Sequence, residues 1–151
     1  MKSTIYNRSI LLNVILPLFI GGFIYLLFRS ERLILFNWIR FLGFKESLDF
    51  LRDHFSIVRS FMPNWVLFSL PDGLWVYSFT SAIIIIWNDD RKILIMLLSI
   101  SLIFGPAVEL LQFFKLFKGT FDSMDLAITI VSFMLSILFN LKINQYENQV
   151  C

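Results

Sequence analysis

Four apolar runs alternate with shorter polar stretches along the chain, over 9–28, 72–87, 93–114 and 125–141. A helix needs about 20 apolar residues to cross the hydrocarbon core of a bilayer, so each run predicts a membrane span. Pro17 and the Gly21-Gly22 pair interrupt the first run. Both are tolerated in membrane helices, where glycine lets a neighbour approach closely. The segment 33–62 follows a different pattern. Its first part is apolar but short, and Arg40 interrupts it. In its second part Phe44, Leu48, Leu51, Phe55, Val58 and Met62 recur at spacings of four and three, the mark of one helical stripe. Lys45, Arg52 and Arg59 form a basic line along the polar side. Such a helix either lies in the membrane interface with its apolar face down or packs against the other spans or a second subunit. Pro63 ends it, because proline has no N–H and restricts the residue before it. Pro71-Asp72-Gly73 is a breaker ahead of the second run, Asn88 to Lys92 is a polar turn, and 142–151 is a polar tail expected to fray.

Composition sharpens this picture. Hydrophobic residues make up 58% of the 151, above the roughly 45–50% of soluble domains. The net charge of +2, with no Lys/Arg-rich block, speaks against nucleic acid as a partner. Cys151 is the single cysteine and His54 the single histidine, so neither an internal disulfide nor a multi-histidine metal site arises within one chain. No cofactor motif is present. Lys2 and Arg8 precede the first run as in a signal peptide, but the run exceeds the usual 7–15-residue core and no small-residue cleavage site follows. An uncleaved first span is expected. The sequence therefore predicts an all-α, integral membrane four-helix bundle with an additional interfacial amphipathic helix. It forms one membrane domain over 1–151, multi-pass, in a cell inner membrane or plasma membrane. Cations near the span ends favour both termini in the cytoplasm.

In a bundle of four hairpin-connected spans, the ends of spans one and three share a side with the starts of spans two and four. Arg29, Asp72, Glu109, Gln112, Asp122 and Asp125 then converge at one end. Glu109 and Gln112 lie three apart on one helix face. Glu109 sits within an apolar run, where an ionised side chain costs roughly 2.5–3.5 kcal/mol on insertion scales and faces a bundle interior or a wet cavity. It needs a cation, and Arg29 is the expected partner, with Asp122 or Asp125 in the same pocket. Simpler roles stand beside this one. Asp72 and Asp122 suit helix N-caps, Asp125 suits a first turn facing the helix dipole, Gln112 suits a polar bridge between helices, and His54 suits a solvated surface.

Glu109-x-x-Gln112, a short loop, and Phe121-Asp122-x-x-Asp125 opening the last span resemble the VanZ-like small membrane proteins. The LPDGLW segment before span two is similar to a variant branch of that group. The resemblance implies a bacterial, multi-span protein of the cell envelope. The family's named member is linked to low-level resistance to the glycopeptide antibiotic teicoplanin. The loop carries Lys118 where the family often has arginine, and Thr129 and Ser132 stand where it often has Asn and Gly.

Three function classes follow. In the first, the one-sided polar pocket binds a lipid headgroup or a glycopeptide-like ligand, with membrane lipids as partners. In the second, the chain assembles as a homo-oligomeric pore or effector. In the third, the carboxylates serve a metal-dependent lipid-phosphate enzyme. The spacing carries no recognised catalytic signature, which weighs against an enzyme and leaves no residue assigned as catalytic.

Overall fold

The computed structural model describes residues 7–30, 34–116 and 121–150, with the backbone alone described at 34, 104, 105, 108, 109 and 141–150. Every element among the described residues is helical. Helix α1 is Asn7–Phe28, α2 Ile34–Phe41, α3 Lys45–Phe61, α4 Asn64–Phe68, α5 Leu70–Trp87, α6 Arg91–Phe113 and α7 Ser123–Val150. Three stretches are long and apolar enough to cross a membrane: Asn7–Phe28, Leu70–Trp87 and Ser123–Asn140. The outward faces of these stretches are apolar, with Phe19, Phe79, Val131 and Leu138 exposed. An apolar surface this extensive marks an interaction with membrane or protein rather than with water.

Helix α5 is the centre. It packs on α1 along one side and on α7 along another, and α6 leans on both α5 and α7. Its composition explains its position. Ser69, Pro71, Gly73, Ser78, Thr80, Ser81, Ile83 and Ile84 are all buried, so small residues line several sides rather than one stripe. Small side chains let helices approach closely where lipid removes the hydrophobic drive for association. A Cβ on Gly73 would run into Ile128 and come within 2.7 Å of the Ser132 hydroxyl on α7. A Cβ on Gly21 of α1 would come within 2.8 Å of Trp75 Nε1 and 3.1 Å of the Pro71 carbonyl. The pairing of Gly73 with Ile128 and of Ser81 with Ser136 makes α5 and α7 parallel. Gly21 against Pro71 and Val14 against Ser78 make α1 antiparallel to α5.

The first span is not a uniform α-helix. Leu11–Ile15 forms a π-turn, closed by the Leu16 N–H on the Leu11 carbonyl, directly before Pro17. Proline supplies no N–H, and a π-turn widens the helix at the same place. Helix α5 provides the polar partners this stretch needs. Ser78 Oγ donates to the Val14 carbonyl at 2.7 Å, and the Tyr77 hydroxyl donates to Asn13 Oδ1 at 2.8 Å. Neighbouring helices commonly satisfy such loosened backbone in membranes.

The amphipathic segment 33–62 divides in two. Gly43 has φ +79, and the bonds Phe44 N to Ile39 O and Gly43 N to Arg40 O close a Schellman end on α2. Helix α3 then runs to Phe61 and stops at Met62, which is extended ahead of Pro63. A further short helix, α4, follows Pro63 where the sequence pattern predicted none. At the other end of the chain, the backbone is helical through Val150, so α7 runs on into the polar stretch 142–150. Local stop and start signals explain the remaining ends. Asp90 caps α6 by accepting from the N–H groups of Lys92 and Ile93 at 3.1 and 3.2 Å. Lys115, at φ 58, ends α6 in the left-handed conformation, with Leu116 N bonded to Leu111 O at 2.9 Å.

Candidate functional site at the polar end of the bundle

The end of α1 and the start of α5 meet at a guanidinium. Arg29 follows the last turn of α1 in an extended conformation, which swings its side chain off the helix axis. One nitrogen, Nη2, reaches Asp72 Oδ2 at 3.1 Å and the Phe68 carbonyl at 3.0 Å. The guanidinium also lies 5.4 Å from the centre of the Tyr25 ring and 5.6 Å from that of Phe68, within cation–π range. The Arg29 side chain is 29% exposed and that of Asp72 38%. The pair therefore sits at a part-exposed boundary, not in the core. Arg29 Nε is buried and has no hydrogen-bond partner among the described residues.

A second guanidinium stands beside it. Arg52 of α3 donates from Nε to the Leu26 carbonyl at 2.9 Å and from Nη2 to the Arg29 carbonyl at 2.7 Å. Both acceptors belong to the C-terminal end of α1, where carbonyls lack helical partners and the dipole favours a cation. The buried ring of Phe36, on α2, has its centre 4.5 Å from the Arg52 guanidinium. Phe55, one turn along α3, meets Phe23 edge-on at 5.8 Å and packs on the cluster of Leu27, Phe28 and Leu67. Helix α3 is thus docked on the end of α1 through Arg52 and Phe55, while Phe50, Ile57 and Phe61 point away from the body, exposed by 73, 70 and 84%. The apolar arc of α3 is wide enough for both contacts.

The six residues singled out from the sequence fall as follows. Arg29 and Asp72 are brought together directly. Asp72 does not cap α5, because Ser69 holds the cap position and Pro71 and Asp72 lie in the first turn, from which the carboxylate turns to Arg29. Asp122 does take the cap position of α7, accepting from Met124 N at 2.9 Å. Asp125 lies in the first turn of α7, with Oδ1 buried and lacking a hydrogen-bond partner among the described residues. Because α7 runs parallel to α5, both aspartates stand at the end of the bundle that carries Asp72. Gln112 is half-buried in the last turn of α6, where its carbonyl receives Lys115 N at 2.9 Å. The side chain of Glu109 lies outside the described residues. Among the described residues, the carboxylate on Arg29 is that of Asp72, which the first turn of α5 sets against the end of α1.

The sequence reading passed over a second polar set, deeper in the bundle. Ser81 and Ser136 share a 2.9 Å hydrogen bond, and Asn140 Nδ2 donates to Ser81 Oγ at 3.0 Å and to the Ser136 carbonyl at 2.7 Å. Thr80 reaches Ser101 of α6 at 3.3 Å. The legible signal was uncharged polar side chains inside apolar runs: Asn13, Ser81, Ser136 and Asn140. No protein-family model, curated protein or solved structure matches this chain.

Proposed function

We propose that the chain is a four-span, VanZ-like integral membrane protein of a bacterial inner or plasma membrane, and that its polar end binds the headgroup of an envelope lipid. The observation that carries this reading is the Arg29–Asp72 pair, set beside Arg52 at a half-exposed boundary between two apolar helices. Headgroup phosphates are read by guanidinium forks at such boundaries. In this reading α6 is the fourth span. Its 23 residues extend about 34 Å at 1.5 Å per residue, enough for a hydrocarbon core of about 30 Å. Helix α3 lies in the interface, with Phe50, Ile57 and Phe61 toward lipid and Arg52 on α1. The motif of Glu109, Gln112, Asp122 and Asp125 supports the family assignment and supplies acidic groups at the same end.

The test is lipid retention. The purified protein, released from nanodiscs of mixed phospholipids, should carry bound anionic phospholipid in native mass spectrometry. Arg29→Gln should lower that retention several-fold with helical content unchanged. Equal retention by the two proteins would refute headgroup recognition at this end.

A further inference from the structure

A groove of about 410 Å³ runs along the outside of α1, lined by Leu18, Phe19, Gly22, Phe23, Leu26 and Trp75. Every lining side chain is apolar apart from the indole N–H of Trp75. Gly22 opens the groove, since a Cβ placed there meets nothing within 4 Å. Its neighbour Gly21 does the opposite work and seats α1 against Trp75. From Leu18 to Leu26 the groove covers about 12 Å of helix at 1.5 Å per residue. It lies within Asn7–Phe28, a stretch long and apolar enough to cross a membrane.

The groove is continuous with the polar end. Leu26 lines it, and the carbonyl of Leu26 is held by Arg52. Phe23 forms its rim and touches Phe55 of α3. Lys45 and Arg59 lie seven residues either side of Arg52, two helical turns away on the same line of α3. Asp49 lies near the same line and holds Lys45 at 4.0 Å, while Glu46 and Asp53 each follow a cation by one residue and so fall about 100° farther round the helix. Where α3 meets α1, the charge beside the groove is therefore that of Arg52, with Arg59 two turns beyond it.

We propose that this groove seats one acyl chain of an anionic phospholipid, with the chain running from Leu26 toward Leu18 and the phosphate beside the Arg29 and Arg52 guanidiniums at the end of α1. The inference rests on the reading of the polar end as a headgroup site and names the lipid class and the seat of its chain. A groove of this shape suits a linear hydrocarbon, and its charged rim selects by headgroup. Basic residues near a membrane surface attract anionic lipid by about fivefold each.

Trp75 reports occupancy. With Trp38, Trp65 and Trp87 replaced by phenylalanine, Trp75 is the sole indole in the full-length protein. Its fluorescence is measured in bilayers containing phosphatidylglycerol or phosphatidylcholine brominated along the acyl chain. Bromine on the chain should quench Trp75, with phosphatidylglycerol preferred about fivefold over phosphatidylcholine. Gly22→Leu, which fills the groove from its open side, should cut the quenching by at least half at unchanged helical content. Leu18→Phe, at the far end, is a second filling variant with the same expectation. Equal quenching in the filled and unfilled proteins, or no quenching in the unfilled one, overturns the acyl seat. A seat that empties on filling but takes both lipids equally overturns the anionic class and the headgroup reading, and leaves the groove itself standing.

Discussion

Arg29 shows what one side chain does at the end of a membrane helix. Its charge is shared between a carboxylate, a carbonyl and two rings, supplied by Asp72, Phe68 and Tyr25. The pair with Asp72 is part-exposed, so its coupling lies between that of a surface pair and that of a buried one. A double-mutant cycle of Arg29→Ala and Asp72→Ala, followed by unfolding in detergent, should return a coupling of about 1–2 kcal/mol. A coupling near zero would mean that the pair is incidental. Gly73 makes a second test at this scale. Gly73→Ala puts a methyl against Ile128 and Ser132, at the closest approach of α5 and α7, and overpacking of that kind costs about 1–3 kcal/mol. The loss should appear as a lower midpoint of unfolding, with Ser132→Gly restoring part of it.

At the scale of elements, α3 and the α5–α7 pair are held by different means. Helix α3 is bound to α1 by one arginine on two terminal carbonyls and by one phenylalanine. Hydrogen bonds from a charged donor contribute about 1.5–3 kcal/mol, so Arg52→Gln should speed amide exchange along α3 by roughly 10- to 100-fold, with α5 and α7 unaffected. Protection unchanged across α3 would show that its exposed apolar face, not Arg52, holds it. Helices α5 and α7 are joined by small residues and by the Ser81, Ser136 and Asn140 cluster. Interhelical hydrogen bonds in membranes average about 0.6 kcal/mol with a maximum near 1.7. Asn140→Leu removes the one interhelical bond that Asn140 makes, to Ser81, along with its bond to the Ser136 carbonyl of its own helix, and leaves Ser81 and Ser136 bonded to each other. It should cost about 0.6–1.7 kcal/mol by the same scale, read as a lower thermal midpoint in detergent.

For the whole molecule, three stretches of membrane length face outward with apolar side chains, and their described polar groups lie at the two ends of the helices and on the inside. A protein built this way should stay in the pellet after an alkaline carbonate wash and come out only with detergent. Release by carbonate would be incompatible with spanning helices. The same arrangement puts the Arg29–Asp72 pair, Arg52 and the Leu26 end of the apolar groove at one end of the molecule.

Much of this was legible in the sequence, because the bilayer imposes one-dimensional rules. Run length predicts spans, a three-and-four spacing predicts an amphipathic helix, and proline predicts where it stops. Those rules depend on neighbours along the chain, and the helices lie close to where they point. Asp122 as a cap follows from the same local logic. What needed the tertiary structure were choices among partners. The sequence offers Arg29 several carboxylates, and the one that the described residues set on it is Asp72, because the first turn of α5 faces the end of α1 at the right height. Arg52 reads as one of a solvated basic line, yet it docks on carbonyls of another helix, since the unsatisfied end of α1 attracts a cation that happens to be carried past it. The Ser81, Ser136 and Asn140 cluster is dispersed over 60 positions of chain and becomes a unit only when α5 and α7 pack in parallel. Hydropathy along a chain decides which segments leave water. Which side chains then meet is decided by helix azimuth and register, and those are set by contacts between segments far apart in sequence.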